Sequence, residues 1–312
     1  MKNMSSFYAS TFGRILFATI CCALWGGVFP VMKLTNDLLH LTGKDVGSLY
    51  ILAGIRFFLS GLLVIMFFSI TEKKLLVLKP KELGPTLTVS GIQTVGQYLF
   101  YYIGMATTSG VKSAIITGST SFFAILCSSL MFRQEKLSGR KILSCLIGFC
   151  GIAAANLKGF DLNFSFTGEG FVMIAAIMSA IGGCFVKRFS SDTHVPALSG
   201  YQFLFGGIAL TATGIALGGK MSFGEIGSIL CVLYLSFAAA FAQTLWSVLL
   251  KYNDVSKVSV FRLTIPIFGA SLSALFVPEE EISVSVIISL ILVCVGITLA
   301  NTTQKTKTVK FF

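Results

Sequence analysis

The chain has 312 residues, 54% of them hydrophobic and 12% charged, with a mean hydropathy of +0.85 and a formal net charge of +11. A soluble chain carries about twice that fraction of charge, so composition excludes an ordinary soluble domain and indicates an all-α integral membrane protein. The basic excess sits in short loops between apolar runs, which marks it as an orientation signal and not a nucleic-acid surface.

A membrane-spanning helix needs about 20 apolar residues. By that measure the sequence predicts ten transmembrane helices, at roughly 15–32, 49–70, 85–106, 110–132, 142–157, 169–187, 198–217, 226–249, 255–277 and 282–300. The first follows only Lys2 and Arg14, lacks a small-x-small cleavage site, and reads as a retained helix and not a leader. Its end, Ala23–Lys33, places Trp25, Gly26, Gly27, Phe29 and Pro30 among lipid-compatible residues. Gly26 and Gly27 allow close helix approach, and Pro30 removes one amide from the ladder. This helix is therefore expected to pack, bend and face something other than lipid. The eight cysteines all fall in apolar runs without a CxxC pair or a nearby histidine. Buried thiols are expected, with no metal site and no cofactor.

Lysine and arginine alternate in density from loop to loop. One side holds seventeen: Lys2 and Arg14, four in 71–84, four in 133–141, Lys187 and Arg188, Lys251 and Lys257, and Lys305, Lys307 and Lys310 in the tail 302–312. The other holds five (Lys33, Lys44, Lys112, Lys158, Lys220) together with the acidic turn Glu279–Glu281. The positive-inside rule then puts both termini in the cytoplasm, as an even helix count requires. The expected location is the plasma membrane.

The sequence also repeats. An offset of 145 lays 121–137 on 266–282 and brings Glu135 to Glu280, Gly151 to Gly296 and Ala155-Asn156 to Ala300-Asn301. An offset of 146 lays Gln97 on Gln243, Phe100 on Trp246 and Arg56-Phe57 on Gln202-Phe203. An offset of 156 lays Trp25–Phe29 on Ile181–Phe185, so Gly26-Gly27 meets Gly182-Gly183. The halves are 1–157 and 168–301, each of five helices, followed by the basic tail 302–312. Five is odd, so the second half must enter from the opposite side: the expectation is two inverted five-helix repeats with a site between them near mid-membrane.

Polar residues inside lipid are costly unless partnered and so mark interfaces or cavities. Helix 3 carries Gln93, Gln97 and Tyr101 on one face; helix 8 carries Gln243, Trp246 and Ser247. Helix 4 offers Ser113, Thr117, Ser119, Thr120 and Ser121, and helix 9 offers Ser256, Ser259, Arg262 and Thr264 before Pro266. Serine and threonine can simply bond their own helix, and glutamine can tie two helices together. Helices 5 and 10 are aliphatic and expected at the periphery. Arg56 and Arg262 lie roughly 10–12 Å from the nearer helix end at about 1.5 Å per residue. Snorkelling and pairing with a substrate anion both remain open, the latter favouring Arg262 for its polar helix. All thirteen acids fall in loops or at helix ends, and His40 and His194 in loops. No catalytic constellation is visible, which argues against an enzyme and weakens acid-driven antiport.

The chain resembles the drug/metabolite transporter superfamily, and specifically the EamA-type ten-helix transporters. The resemblance covers nearly the whole chain and rests on Trp25-Gly26-x-x-Phe29 with Pro30, Arg56-Phe57, Glu135-x-Leu137, Pro266-x-Phe268, Glu280-x-Ile282 and Gly296. Ser121, Gln134 and Ile181 depart from the usual pattern. The resemblance implies a central cavity walled by helices 1, 3, 4, 6, 8 and 9, alternating access by rocking, and a small-molecule cargo such as an amino acid, usually exported. The expected path residues are Trp25, Gln97, Tyr101, Thr117, Gln243, Trp246 and Arg262, with Gly26, Gly27, Pro30, Gly182, Gly183 and Pro266 permitting packing and bending. The partners expected are a small-molecule substrate and the lipid bilayer, for a monomer or homodimer. A non-transporting membrane scaffold or sensor with the same fold is the other reading, and it requires the cavity to be packed shut.

Overall fold

The computed structural model describes residues 2–43, 45–108, 110–155, 164–276 and 284–301. Lys44, Asn156, Lys158, Glu279–Glu281, Ile282 and the tail 302–312 lie outside the described residues. Lipid offers no hydrogen bonds to an exposed backbone, so an apolar chain of this kind satisfies its amides within helices. The described residues are accordingly helical, without strands.

A short helix α1 (Lys2–Ala9) precedes α2 (Thr11–Leu38), α3 (Val46–Thr71) and α4 (Pro80–Val89). A π-helical turn, Ser90–Gly96, joins α4 to α5 (Gln97–Thr107). Then come α6 (Gly110–Gly118), α7 (Thr120–Leu126) with a second π turn at Cys127–Met131, and α8 (Gly139–Ala155). A third π turn, Phe166–Gly170, leads into α9 (Phe171–Phe189), followed by α10 (Val195–Ala216) and α11 (Ile226–Tyr252). The chain ends in α12 (Val255–Ser259), a 3-10 turn at Val260–Thr264, α13 (Ile265–Phe276) and α14 (Val284–Asn301). Five segments are long and apolar enough to cross a membrane: Thr11–Leu38, Val46–Thr71, Phe166–Phe189, Val195–Ala216 and Ile226–Tyr252. Shorter apolar helices accompany them.

The first helix and the cysteines differ from expectation. The first long helix begins at Thr11, not near residue 15, because Ser10 caps it by accepting the Gly13 amide. That draws Arg14 out of the predicted loop into a buried position, where Nε donates to Asn301 Oδ1 (2.7 Å) and Nη1 to Asn253 Oδ1 (2.9 Å). Among the cysteines, Cys21, Cys22, Cys145 and Cys184 are buried, while Cys150 and Cys294 are exposed. Both exposed thiols lie on α8 and α14, which pack on each other and expose Leu143, Leu146, Leu290 and Ile291.

The tightest seam joins α3 to α10. Gly54 lies against Gly207, Gly61 against Gly200, and Gly47 against Gly214. As one number rises the other falls, so the helices run antiparallel. A Cβ on Gly54 would stand 2.1 Å from Thr211 Oγ1, and one on Gly207 would stand 2.4 Å from the Phe58 amide. Only glycine lets the backbones approach this closely. Around that seam, α2 packs on α11 and α13, while α9 packs on α5 and α7.

Candidate functional site

Interruptions in helical geometry place the polar side chains. Pro266 is the second residue of α13, where its missing amide is least needed. The 3-10 turn before it carries Arg262. The guanidinium carbon lies 5.4 Å from the centre of the Trp25 ring and 5.1 Å from that of Trp246. The two indoles are themselves 5.1 Å apart at 59°. Nη1 of Arg262 donates to Ser179 Oγ of α9 at 2.8 Å, and Nε is buried without a hydrogen-bond partner. No carboxylate among the described residues forms an ion pair with it. A cation on two indole faces is attracted to both ring quadrupoles, which lowers the cost of holding it away from water.

Beside the guanidinium is a small cavity of about 10 Å³ bordered by Ser179, Gly183, Trp246, Ser259 and Arg262. That is room for roughly one water. The wide central cavity implied by the family resemblance is therefore not present at this position. The helices are held together by Gly26, whose absent side chain admits Phe268 Cβ and the Gly269 amide, and by Ser121, which donates to Ser259 O at 2.8 Å.

A second cluster consists of three glutamines. Gln243 Nε2 (α11) donates to Gln93 Oε1 at 3.2 Å, and Gln202 Nε2 (α10) reaches the same oxygen at 3.5 Å. Gln93 lies in the first π turn, where Ser90 Oγ donates to Gln202 O at 2.8 Å and Gly182 makes room for its side chain. The sequence repeat pairs Gln243 with Gln97, but its hydrogen-bond partner is Gln93. The extra residue of a π turn rotates the following face, so Gln97 is half-buried without a hydrogen bond to another described residue.

Tyr101 belongs to a third cluster. It contacts Tyr98 (6.3 Å) and Tyr102 (5.9 Å), and Tyr102 contacts Tyr50 (6.0 Å). Arg56 of α3 lies over Tyr98 at 5.4 Å and over Phe57 at 4.6 Å. Thr117 is not brought to any of these clusters: it is exposed, and makes no hydrogen bond to another described residue. Pro30 sits within an unbroken α2, and Gly27 faces Tyr234 Oη. The residues that the sequence named thus fall into an Arg262–indole group and an Arg56–tyrosine group, with glutamines on the intervening helices. The π turns and the role of Ser179 carry no signal in the sequence, since a lone serine in an apolar helix reads as self-bonded.

No group of three or more histidine, cysteine or acidic residues with metal-binding geometry occurs among the described residues. The EamA-like transporter family model matches residues 12–157 and 166–302. An uncharacterized transporter of Bacillus subtilis, YvbV, is 24% identical over 289 residues, which cover 90% of this chain and 89% of that protein. An uncharacterized transporter of Archaeoglobus fulgidus is 26% identical over 249 residues, covering 78% and 82%. A crystal structure with 17% sequence identity superimposes with a TM-score of 0.76 over 93% of this chain and 98% of its own, which shows a shared fold.

Proposed function

The chain belongs to the EamA-like transporter family, and from that premise we propose that it is a secondary transporter exporting a small metabolite, such as an amino acid, by alternating access between two inverted five-helix halves. It is a multi-pass membrane protein with a small-molecule substrate and no enzymatic chemistry. The observation that carries the proposal is Arg262: a cation on two indole faces, without a carboxylate partner among the described residues and with Nε unbonded. A substrate carboxylate would complete it with two parallel hydrogen bonds. Trp25 and Trp246 would flank the cargo, and Gln243 would bond its polar parts.

Two features support the inverted arrangement. The offset of 146 turns Gly54 into Gly200 and Gly61 into Gly207, so it exchanges the pairs Gly54–Gly207 and Gly61–Gly200. The same offset relates Phe57 to Phe203, and those rings stack at 5.2 Å and 6°. Equivalent residues meeting each other on antiparallel helices is what a two-fold axis in the membrane plane requires. The halves proposed are 1–157 and 168–301, ten transmembrane helices in all, with both termini cytoplasmic in the plasma membrane, as a monomer or homodimer.

The cavity of about 10 Å³ beside Arg262 also fits the scaffold reading, in which the bundle stays closed. Flux separates the two. Media from cells with and without the protein are compared for metabolites, and the best hit is followed in reconstituted vesicles. Saturable transport that falls at least about tenfold in Arg262→Gln, the loss of one charge-assisted contact, is the result expected. Absence of saturable flux for every hit would favour the scaffold.

A further inference from the structure

Arg56 lies deep within the membrane-spanning helix α3, and it does not snorkel. It lies ten residues into α3, roughly 15 Å from that end at about 1.5 Å per residue, and further from the other. That is more than an arginine side chain spans. Only 5% of it is exposed. Its guanidinium rests on the rings of Phe57 and Tyr98, its Nε is buried without a hydrogen-bond partner, and no carboxylate among the described residues pairs with it. A buried cation left in this state is expensive in hydrocarbon, and aromatic faces offset only part of the cost. Among the described residues nothing supplies it with a negative charge.

The surrounding tyrosines supply matching donors. Tyr50 is already committed, its hydroxyl donating to Leu99 O at 2.7 Å. The hydroxyls of Tyr101 and Tyr102 make no hydrogen bond to another described residue, and Tyr98 and Tyr101 are only half-buried. A phenol donates to an oxyanion without adding charge, so the cage carries a single positive charge in total. A monovalent carboxylate neutralises it; a dianionic phosphate would leave net charge buried.

We propose that Arg56, with Tyr98, Tyr101 and Tyr102, forms a second anion station that takes the carboxylate of a small organic monoanion, in the half of the chain opposite to Arg262. Binding there stands independently of transport. The part that rests on the transporter reading is that this anion is cargo or exchanged solute.

The test is a thermal-unfolding titration of purified full-length protein with benzoate, neutral benzamide and inorganic phosphate at about pH 8, where phosphate is mainly the dianion. Benzoate is expected to stabilise wild type and Arg262→Gln at similar midpoints, with benzamide and phosphate at least about tenfold weaker, as one charge-assisted hydrogen bond dictates. Arg56→Gln is expected to weaken benzoate by the same factor or more. If that variant does not fold, Tyr101→Phe/Tyr102→Phe, which keeps the arginine and the ring packing, is expected to weaken benzoate several-fold. Equal binding of benzoate by wild type and Arg56→Gln, equal action of benzamide and benzoate, or an unaffected tyrosine double variant overturns the station. Benzoate binding that depends on Arg56 in a protein showing no flux would retain the station and remove the transport reading.

Discussion

Arg262 and Gln93 each concentrate polar bonding that lipid cannot replace. At Arg262 the hydroxyl of Ser179 is the one hydrogen-bond partner among the described residues. Ser179→Ala strips that bond from a buried charge, and a lost partner of this kind costs about 1–3 kcal/mol. The variant is expected to fold with a lowered melting temperature and reduced flux; unchanged values of both would show that the bond does not orient the guanidinium. Gln93 accepts from both Gln202 and Gln243, so Gln93→Leu leaves two buried amides without their acceptor. Destabilisation of about 1–3 kcal/mol per stranded group, read by thermal unfolding, is the outcome expected, whereas Gln97→Ala should shift stability little. Trp25, Trp246 and Arg262, which lie together, and Gln243, which lies in the glutamine cluster, stood out in the sequence because polar and bulky aromatic groups are rare and costly in a spanning helix. Thr117 stood out as well but lies exposed and away from these clusters, since spelling alone does not separate a threonine that lines a cavity from one that does not.

At the level of elements, the α3–α10 seam fixes the core geometry. Gly54→Val would force a side chain into Thr211 and the α10 backbone, and overpacking of this kind costs about 1–3 kcal/mol or more. Gly84→Ala on α4 is the matched control, because a Cβ there meets nothing within 4 Å. Loss of folded yield in the first and none in the second is the pattern expected; equal yields would show that the seam tolerates separation. The spacing of seven in Gly47, Gly54, Gly61 and in Gly200, Gly207, Gly214 was open to reading, yet only the paired backbones show that the two rows face each other. Glu135 does comparable work where three elements converge. Its carboxylate accepts from Ser256 N (3.0 Å), Ser256 Oγ (2.5 Å), Ser128 Oγ (2.5 Å) and Lys141 Nζ (2.7 Å). Glu135→Ala should loosen the start of α12 and lower the melting temperature, while Glu135→Gln, which retains acceptor capacity on one oxygen, should lower it less. The motif Glu135-x-Leu137 was visible beforehand; that its partner would be the α12 start, 121 residues away, was not.

For the whole molecule, hydropathy and charge carried most of the information. Apolar runs marked the helices because lipid allows few alternatives to them, and short loops left no room for an inserted domain. The π turns at 90–96, 127–131 and 166–170 were not legible, since they arise from packing demands and not from local residue preference. The 3-10 turn at 260–264, by contrast, stands just before Pro266, whose missing amide interrupts the ladder. The turn at 90–96 matters because it carries Gln93, the acceptor for Gln243 and Gln202. The closed Arg262 site has the same origin: side-chain interdigitation sets its volume, and composition is silent on that. The central claim is that cargo binds between Trp25, Trp246 and Arg262. These are the chain's two tryptophans, so their emission reports on that site alone. Titrating the purified protein with the transported metabolite should change tryptophan emission saturably, with a midpoint matching that of flux, and the change should vanish in Arg262→Gln. Saturable flux with tryptophan emission unmoved would place the cargo elsewhere and contradict the account.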